Sequence, residues 1–388
     1  VDRWLNKILL GLSEDILREM PDNCIDSIVT DPPYGLKFMG KKWDYDVPSV
    51  ALWKEAYRVL KPGAHVLSFG GTRTYHRMVV NIEDAGFEIR DQILWIYGSG
   101  FPKSLDVSKA IDKAAGEYVP GDVLPSSRAT GKSVSGIATS FRLKTAANPQ
   151  SDLSRQWQGW GTALKPAVEP ICLARKPLEG TVANNVLKWG TGGLNIDGCR
   201  VGTDNLEYRT TSYKEAGTGE FSGQNQTNHT TGHKVVSGRF PANVIHDGSE
   251  EVLQHFPESN GQQGYVSGLE PSTPVLNVYG KYDRHVFPAR NDNGSAARFF
   301  YCAKASTSER GDGNNHPTVK PLDLIKYLVK LITPPDGIVL DMFGGSGTTA
   351  LACYEMGFNY ILIEREPEHI FIANERIKQA TRQERIFL

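Results

Sequence analysis

Near the end of the chain, residues 338–350 read IVLDMFGGSGTTA: an apolar strand, a glycine-rich turn and the start of a helix. Such a turn lets a ligand approach the backbone closely, and the helix N-terminus behind it offers N–H groups without intrahelical partners. Only 24 residues follow Glu364, the acid at the end of the next strand, in a chain of 388. That remainder is one helix and a tail, whereas a doubly wound sheet needs several more strands. They must come from the beginning of the chain. The fold expected is therefore α/β: a doubly wound, mostly parallel Rossmann-like sheet of seven strands in circularly permuted order, with the last part of the chain building the first half of the sheet.

Several ligands compete for the glycine loop. A phosphate-binding loop carries Gly-Lys-Ser/Thr, and no lysine follows Gly347. The run from Gly345 to Ala350 matches the GxGxxA pattern of nicotinamide-binding folds. Glu364 could hold ribose hydroxyls in either a nicotinamide or an S-adenosylmethionine site. A nicotinamide fingerprint at the C-terminal end of a chain would be out of place. The bland reading is a tight turn with no ligand.

Composition divides the chain into three zones. Up to about residue 115, short apolar runs alternate with amphipathic stretches. Ile25–Thr30, His65–Phe69 and Glu88–Tyr97 read as strands, and Arg73–Asp84 as a helix. Ser49 reads as the cap of a helix from Val50 to Leu60, stopped by Pro62-Gly63. From 117 to 300 the texture turns to Gly, Ser, Thr and Asn and reads as loop-rich. Then strands are expected at Ala297–Ala305, Ile338–Met342 and Tyr360–Glu364, and helices at Pro321–Leu331, Thr348–Met356 and Pro367–Ala380.

Directly after the strand Ile25–Thr30 comes Asp31-Pro32-Pro33-Tyr34. At the C-terminal end of a strand in an α/β sheet it stands where ligands bind; as a bare tetrapeptide it could be a turn. Its residue types suit one difficult reaction. The amino nitrogen of adenine or cytosine has its lone pair delocalised into the ring and is a poor nucleophile. A carboxylate (Asp31) and a rigidly held carbonyl (Pro32) can accept its two N–H bonds, which frees the lone pair to attack a sulfonium methyl. The prolines fix the backbone so that the carbonyl points inward. Tyr34 offers a face on which an extruded base stacks.

With DPPY, then His316-Pro317-Thr318-Val319-Lys320-Pro321, then Asp341-Met342-Phe343-Gly344-Gly345-Ser346-Gly347-Thr348, the sequence resembles the β-class, circularly permuted DNA amino-methyltransferases. The resemblance covers roughly residues 1–115, 160–178 and 297–388. It implies S-adenosylmethionine as cofactor, DNA as substrate and methylation of a flipped-out base, with adenine N6 the target. It places Asp31, Pro32, Pro33 and Tyr34 in the catalytic loop. Asp341, Phe343, Gly345, Ser346, Gly347 and Thr348 shape the cofactor pocket, Glu364 holds the ribose, and Thr318 with Lys320 lies near the methionine end. Trp95 or Tyr97 stands where similar enzymes place a second aromatic beside the base; both also read as core aromatics. The implied organisation is a catalytic half at 1–178 with a basic loop at 117–165, a target-recognition insertion at 179–296, and a cofactor-binding half at 297–388. Similar enzymes are often homodimers, and some work beside a cognate restriction enzyme. Two departures stand out. Gly11 is followed by Leu12 where an acid is expected, leaving Glu14 or Asp15 as substitutes. The loop from Tyr97 to Ser104 is glycine-rich, with Lys103 as a phosphate contact.

Competing chemistries fare less well. Cytosine C5 methylation needs a cysteine, usually after proline, yet Asn23, Ile171, Gly198, Tyr301 and Ala352 precede the five cysteines. Cytosine N4 methylation uses the same fold, more often with Ser in place of Asp31. Methylation of RNA or of a protein glutamine is expected in the unpermuted order. A non-catalytic DNA-binding protein of this fold would not need Asp31. No metal site is expected, since His229 and His233 form a lone His-x3-His. Net charge is −1, but from Arg128 to Lys176 eight basic residues face two acids, Asp152 and Glu169. Lys132, Arg142 and Lys144 in that run are candidate phosphate contacts; the alternative is a solvated loop. Scattered cysteines, no secretory leader and no apolar run near the roughly 20 residues of a membrane helix point to the cytoplasm.

Overall fold

The computed structural model describes residues 1–36, 46–100, 104–120, 148–212, 230–259, 293–303 and 319–387. In chain order the elements begin β1 (Lys7–Leu10), α1 (Ser13–Glu19), β2 (Ile25–Thr30), α2 (Val50–Val59), β3 (Leu60–Phe69), α3 (Tyr75–Asp84) and β4 (Glu88–Ile96). The middle of the chain holds α4 (Val107–Ala115), α5 (Asp152–Gln156), β5 (Val168–Arg175), α6 (Val182–Trp189), β6 (Val201–Ser212), β7 (Thr230–Arg239), β8 (Val244–His246), α7 (Glu250–Leu253), β9 (Glu258–Ser259), β10 (Gly294–Ser295) and β11 (Tyr301–Cys302). The chain ends with α8 (Leu322–Ile332), β12 (Ile338–Asp341), α9 (Thr348–Met356), β13 (Asn359–Glu364) and α10 (Pro367–Phe387).

Apolar strands from both ends of the chain form one sheet, in the order β1-β13-β12-β2-β3-β5-β4-β8-β11. Neighbours are parallel except where β5 pairs with β3 and β4. Strand β12 lies against β2, with Val339 beside Ser27 and Leu340 beside Ile28. All six residues of β2 are buried, as expected of a strand covered on both faces. Successive side chains point to opposite faces. Ile28, Ile361 and Ile363 join Leu17, Trp53 and Ile82 of α1–α3 in one core. Val29 and Leu362 join Leu324, Leu328 and Ala352 of α8 and α9 in the other. Among the described residues no helix is long and apolar enough to cross a membrane.

Three expectations need correction. Among the described residues the sheet has nine strands rather than seven. The extra two are short: β8 lies between β4 and β11, and β11 forms the edge. Both lie beyond β4, and β8 buries Ile245 completely while covering an edge that would otherwise be open. Strand β8 also falls inside 179–296, so part of that segment belongs to the sheet. The strand expected at Ala297–Ala305 is instead a 3-10 turn over Ala296–Phe299 followed by the two-residue β11. Ser295 accepts the N–H of Ala297 at 3.3 Å, and Arg298 folds back onto the carbonyls of Ser295 and Ser259. Finally, Pro62-Gly63 does not separate helix from strand. Strand β3 starts at Leu60, and its pairing with β2 jumps so that Ile25 faces Leu60 while Ser27 faces His65. The residues between bulge out, and Lys61 reaches Asp26 at 2.6 Å.

That bulge is pinned from the middle of the chain. Gly63 has φ +77°, and a Cβ there would stand 2.4 Å from Nδ2 of Asn185. Fully buried Asn185 donates from Nδ2 to the carbonyls of Pro62 (2.9 Å) and Thr191 (2.8 Å) and accepts the N–H of Glu179 at 2.9 Å. Replacing it removes all three bonds, the one to the Thr191 carbonyl being buried, while the Pro62 carbonyl keeps the Thr191 hydroxyl as a donor. Asn185→Ala should therefore lower unfolding free energy by about 2–4 kcal/mol, read from the midpoint of a urea titration; a loss below about 0.5 kcal/mol would show that the bulge holds without it.

Candidate active site

Because β2 and β12 run parallel side by side, the loops leaving them open on the same edge of the sheet, where a doubly wound sheet binds ligands. A cavity of about 380 Å³ lies there. Asp31 to Tyr34 line it after β2, Asp341 to Ser346 with Thr348 after β12, and Glu364 with His369 after β13. Glu169 and Lys320 complete the wall, and from the first turn of α1 Glu14, but not Asp15, is among the lining residues.

The glycine loop is held from both sides. Buried Asp341 accepts hydrogen bonds from Thr30 Oγ1 (2.7 Å), Thr349 Oγ1 (2.7 Å) and the Phe343 N–H (3.0 Å). Burial raises its pKa to about 6 against the pull of those donors. Glu364 accepts the N–H groups of Gly345 and Glu366, each at 2.8 Å. Burial opposes its charge, but the His369 imidazole and those two N–H groups outweigh burial and lower its pKa. From α10, buried Arg376 donates to the Ser346 carbonyl at 2.8 Å and to Thr348 Oγ1 at 3.0 Å. Gly347 does not line the cavity. Its φ is +79°, and a Cβ there would meet Ala373 Cβ at 2.6 Å, so glycine is needed for the approach of α10. Sequence reasoning missed Arg376 and His369, because nothing in the pattern of a terminal helix marks which side chains turn back to a loop thirty residues earlier.

The DPPY residues stand in a second cluster. The Tyr34 hydroxyl lies 2.8 Å from Asp31 Oδ1 and 2.9 Å from Glu169 Oε2. Lys320 Nζ donates to Asp31 Oδ2 at 2.6 Å and lies 3.2 Å from Glu169 and 3.3 Å from the Tyr34 hydroxyl. Burial alone would discharge the Lys320 ammonium, but Asp31 and Glu169 outweigh it and raise its pKa. Burial, then the same two carboxylates, also raise the Tyr34 hydroxyl well above its usual pKa, so it stays protonated. Lys320, expected only near the cofactor, is thus an ion partner of Asp31. Glu169 entered the sequence reading merely as an acid within the basic run. The available signal was a charged residue immediately before the buried stretch Pro170–Ala174.

The two further aromatic candidates fall outside the cavity. Trp95 is 8 % exposed and packs in the core with Phe69 and Ile171. Tyr97 is half-buried, its ring 5.0 Å from that of Trp95. Burial pushes its hydroxyl up to about 12, with Glu169 adding to the rise and Lys320 opposing it. Thr318, Lys103, Lys132, Arg142 and Lys144 lie outside the described residues, as do His229 and Arg128. Within the basic run, Arg175 binds Glu88 at 2.6 Å. Buried Lys176 donates to Asn23 and to the carbonyls of Tyr57 and Leu60. Neither faces outward as a phosphate contact would, whereas Arg155 and Lys165 are exposed.

Asp341 gives the site a pH signature. Its folded pKa of about 6 exceeds the ordinary 3.8, so between those values the folded chain binds more protons than the unfolded one. Its contribution to stability is therefore full below about pH 4 and is lost as pH rises through about 6. In Asp341→Asn that falling component should vanish, visible as a flatter or more rising dependence of the urea midpoint on pH between about 4 and 6. An unchanged profile would mean that the three donors keep Asp341 ionised throughout.

The site can be set beside known proteins. A family model described as DNA methylase, of the N6/N4 methyltransferase class, matches residues 25–375. The Type II methyltransferase M.HindIII of Haemophilus influenzae is 24% identical over 326 residues, 83% of this chain and 66% of that protein. M2.MboI of Moraxella bovis is 41% identical over 66 residues, 17% of this chain and 24% of that protein. The chain thus spans just under two thirds of the first relative and about a quarter of the second. Among solved structures, PvuII DNA methyltransferase (cytosine-N4-specific) aligns over 95% of this chain and 84% of its own, with 14% identity and a TM-score of 0.44. Matched by the family model from β2 into α10, the chain belongs to the DNA methylase family of the N6/N4 class.

Proposed function

We propose that this chain is an S-adenosylmethionine-dependent DNA methyltransferase acting on the N6 amino group of a flipped-out adenine, on a circularly permuted sheet. The observation that carries the reading is that Asp31 and the loop from Phe343 to Ser346, from opposite ends of the chain, line one cavity. The cavity's residues fit S-adenosylmethionine. Glu364, fixed by two N–H groups, suits a ribose diol, Phe343 offers an apolar face, and the DPPY cluster stands at the same opening. When bound, that molecule supplies an electrophilic methyl group.

The chain's own residues do the rest. Asp31 and the Pro32 carbonyl accept the N–H bonds of the target amine, so that its lone pair turns out of conjugation and toward the methyl group. The Tyr34 ring, fixed by its hydroxyl contacts and by Thr74 on its carbonyl at 2.5 Å, supports the base, a contact worth about 1–3 kcal/mol. Tyr97 is the better placed of the two further aromatics, since it neighbours Glu169 and Lys320. Asp rather than Ser at position 31 favours adenine over cytosine. Lys103, Lys132, Arg142 and Lys144 are proposed to meet phosphates, and the region from 179 to 296 to read base edges.

Tritiated S-adenosylmethionine with unmethylated DNA, followed by nucleoside separation, tests the reading. Label in N6-methyl-2′-deoxyadenosine supports it, label in N4-methyl-2′-deoxycytidine moves the target to cytosine, and no label overturns it. Asp31→Ala should slow transfer by about 10²-fold or more while cofactor affinity stays the same; equal loss of both would make Asp31 a cofactor ligand. Conversely, Glu364→Ala should weaken S-adenosylmethionine binding by about tenfold or more, the scale of losing hydrogen bonds to a charged group. Unchanged affinity by calorimetry would take Glu364 out of the cofactor site.

A further inference from the structure

The cluster holds one more charge than the proposed reaction uses. Asp31 supplies the acceptor for the amine, and Lys320 is its counter-ion. Glu169 is a second carboxylate in the same wall, with a side chain 20% exposed, directly before the buried stretch Pro170–Ala174 of β5. Placing a carboxylate there costs free energy unless it is paired and hydrogen-bonded. Its partners are the two groups that also occupy Asp31: the Tyr34 hydroxyl at 2.9 Å and Lys320 at 3.2 Å.

That sharing poses a conflict which Glu169 can resolve. In this structure both oxygens of Asp31 have donors, Tyr34 on Oδ1 and Lys320 on Oδ2. A tyrosine hydroxyl has a single proton to donate. Standing 2.8 Å from one carboxylate and 2.9 Å from the other, it can bond either with nearly the same geometry. We propose that Glu169 is a positioning residue for methyl transfer: it takes over the Tyr34 hydroxyl, and a larger share of Lys320, when Asp31 Oδ1 accepts the N–H of the target amine. The exchange breaks no covalent bond and leaves no donor unpaired. A rotation of the hydroxyl hydrogen about the Tyr34 C–O bond frees one acceptor site and fills another. The raised pKa of Tyr34 accords with this, because the hydroxyl remains a donor throughout. Among the described residues Asp31 and Glu169 are the two carboxylates that the hydroxyl reaches, so removing Glu169 makes it compete with the substrate for Asp31. The position of Lys320, 9% exposed and 4.9 Å above the Phe69 ring, keeps the ammonium between the two carboxylates.

This inference rests on the reading of Asp31 as the acceptor for a methylated amine. Its test is a double-mutant cycle in single-turnover transfer from tritiated S-adenosylmethionine to a random-sequence duplex pool. Glu169→Met removes the second acceptor at similar volume, and should lower the rate by about tenfold, the scale of one charged hydrogen bond. In a Tyr34→Phe background the competing hydroxyl is gone and the ring is kept, so the same substitution should cost less than about threefold. Glu169→Gln, which keeps an oxygen for the hydroxyl, should recover most of the rate. Calorimetric affinity for S-adenosylmethionine should stay at the wild-type value in all variants, which a collapse of the cavity would not allow. An equal loss from Glu169→Met in both backgrounds, or no loss in either, overturns the inference while leaving the proposed reaction standing. A wild-type chain that transfers no methyl group at all overturns the reaction, and the inference with it.

Discussion

The pairing of β12 with β2 is the constraint on which the rest depends. It joins segments some three hundred residues apart and is fixed by buried polar contacts as well as by the ladder. Ser27 and Thr333 hydroxyls lie 2.9 Å apart, Asp26 accepts the Ile338 N–H at 2.9 Å, and Thr30 donates to Asp341 at 2.7 Å. A one-residue slip would break all three and send each strand's side chains to the wrong face. The same register sets Asp31 and Asp341 at neighbouring strand ends. Fold stability and the composition of the cavity are consequences of one seam.

Around that seam the protein tolerates charge where packing alone would exclude it. Asp341, Glu364, Lys320 and Arg376 are all largely buried, yet each has hydrogen-bonded partners. Desolvation is offset only if those partners stay in place, so the loops that carry them are drawn tight. Order in the site follows from the cost of leaving any of these groups alone. Glycine at 347 serves the same end by steric means, since it lets α10 come close enough for Arg376 to reach the loop.

Legibility in the sequence tracked how local the cause was. Strand β2, the helix α9 and the Ser49 cap of α2 were readable, because a buried run, a glycine turn and an N-cap are set within a few residues. The short strands β8 and β11 were not, because two or three residues carry no periodicity and become strands only by lying against an edge. The stretch from Ala297 misled for the opposite reason. Its apolar composition suits a strand, but the Ser295 cap and the Arg298 contacts bend it into a turn.

The site divides along the same line. DPPY and the glycine loop were visible in the sequence because their chemistry depends on adjacent residues, and the expectation that segments from both parts of the chain build one sheet agrees with the pairing of β12 and β2. The sequence by itself thus determined the sheet class, the two loops that face each other and the residue types they bring. Only the tertiary structure decided that Lys320 pairs with Asp31, that Tyr34 is shared with Glu169, that Trp95 belongs to the core, and that Arg175 and Lys176 bond inward. These are contacts between side chains far apart in the chain. Coulombic and hydrogen-bond energies depend on distance and burial in space, and neither is written in the order of the residues.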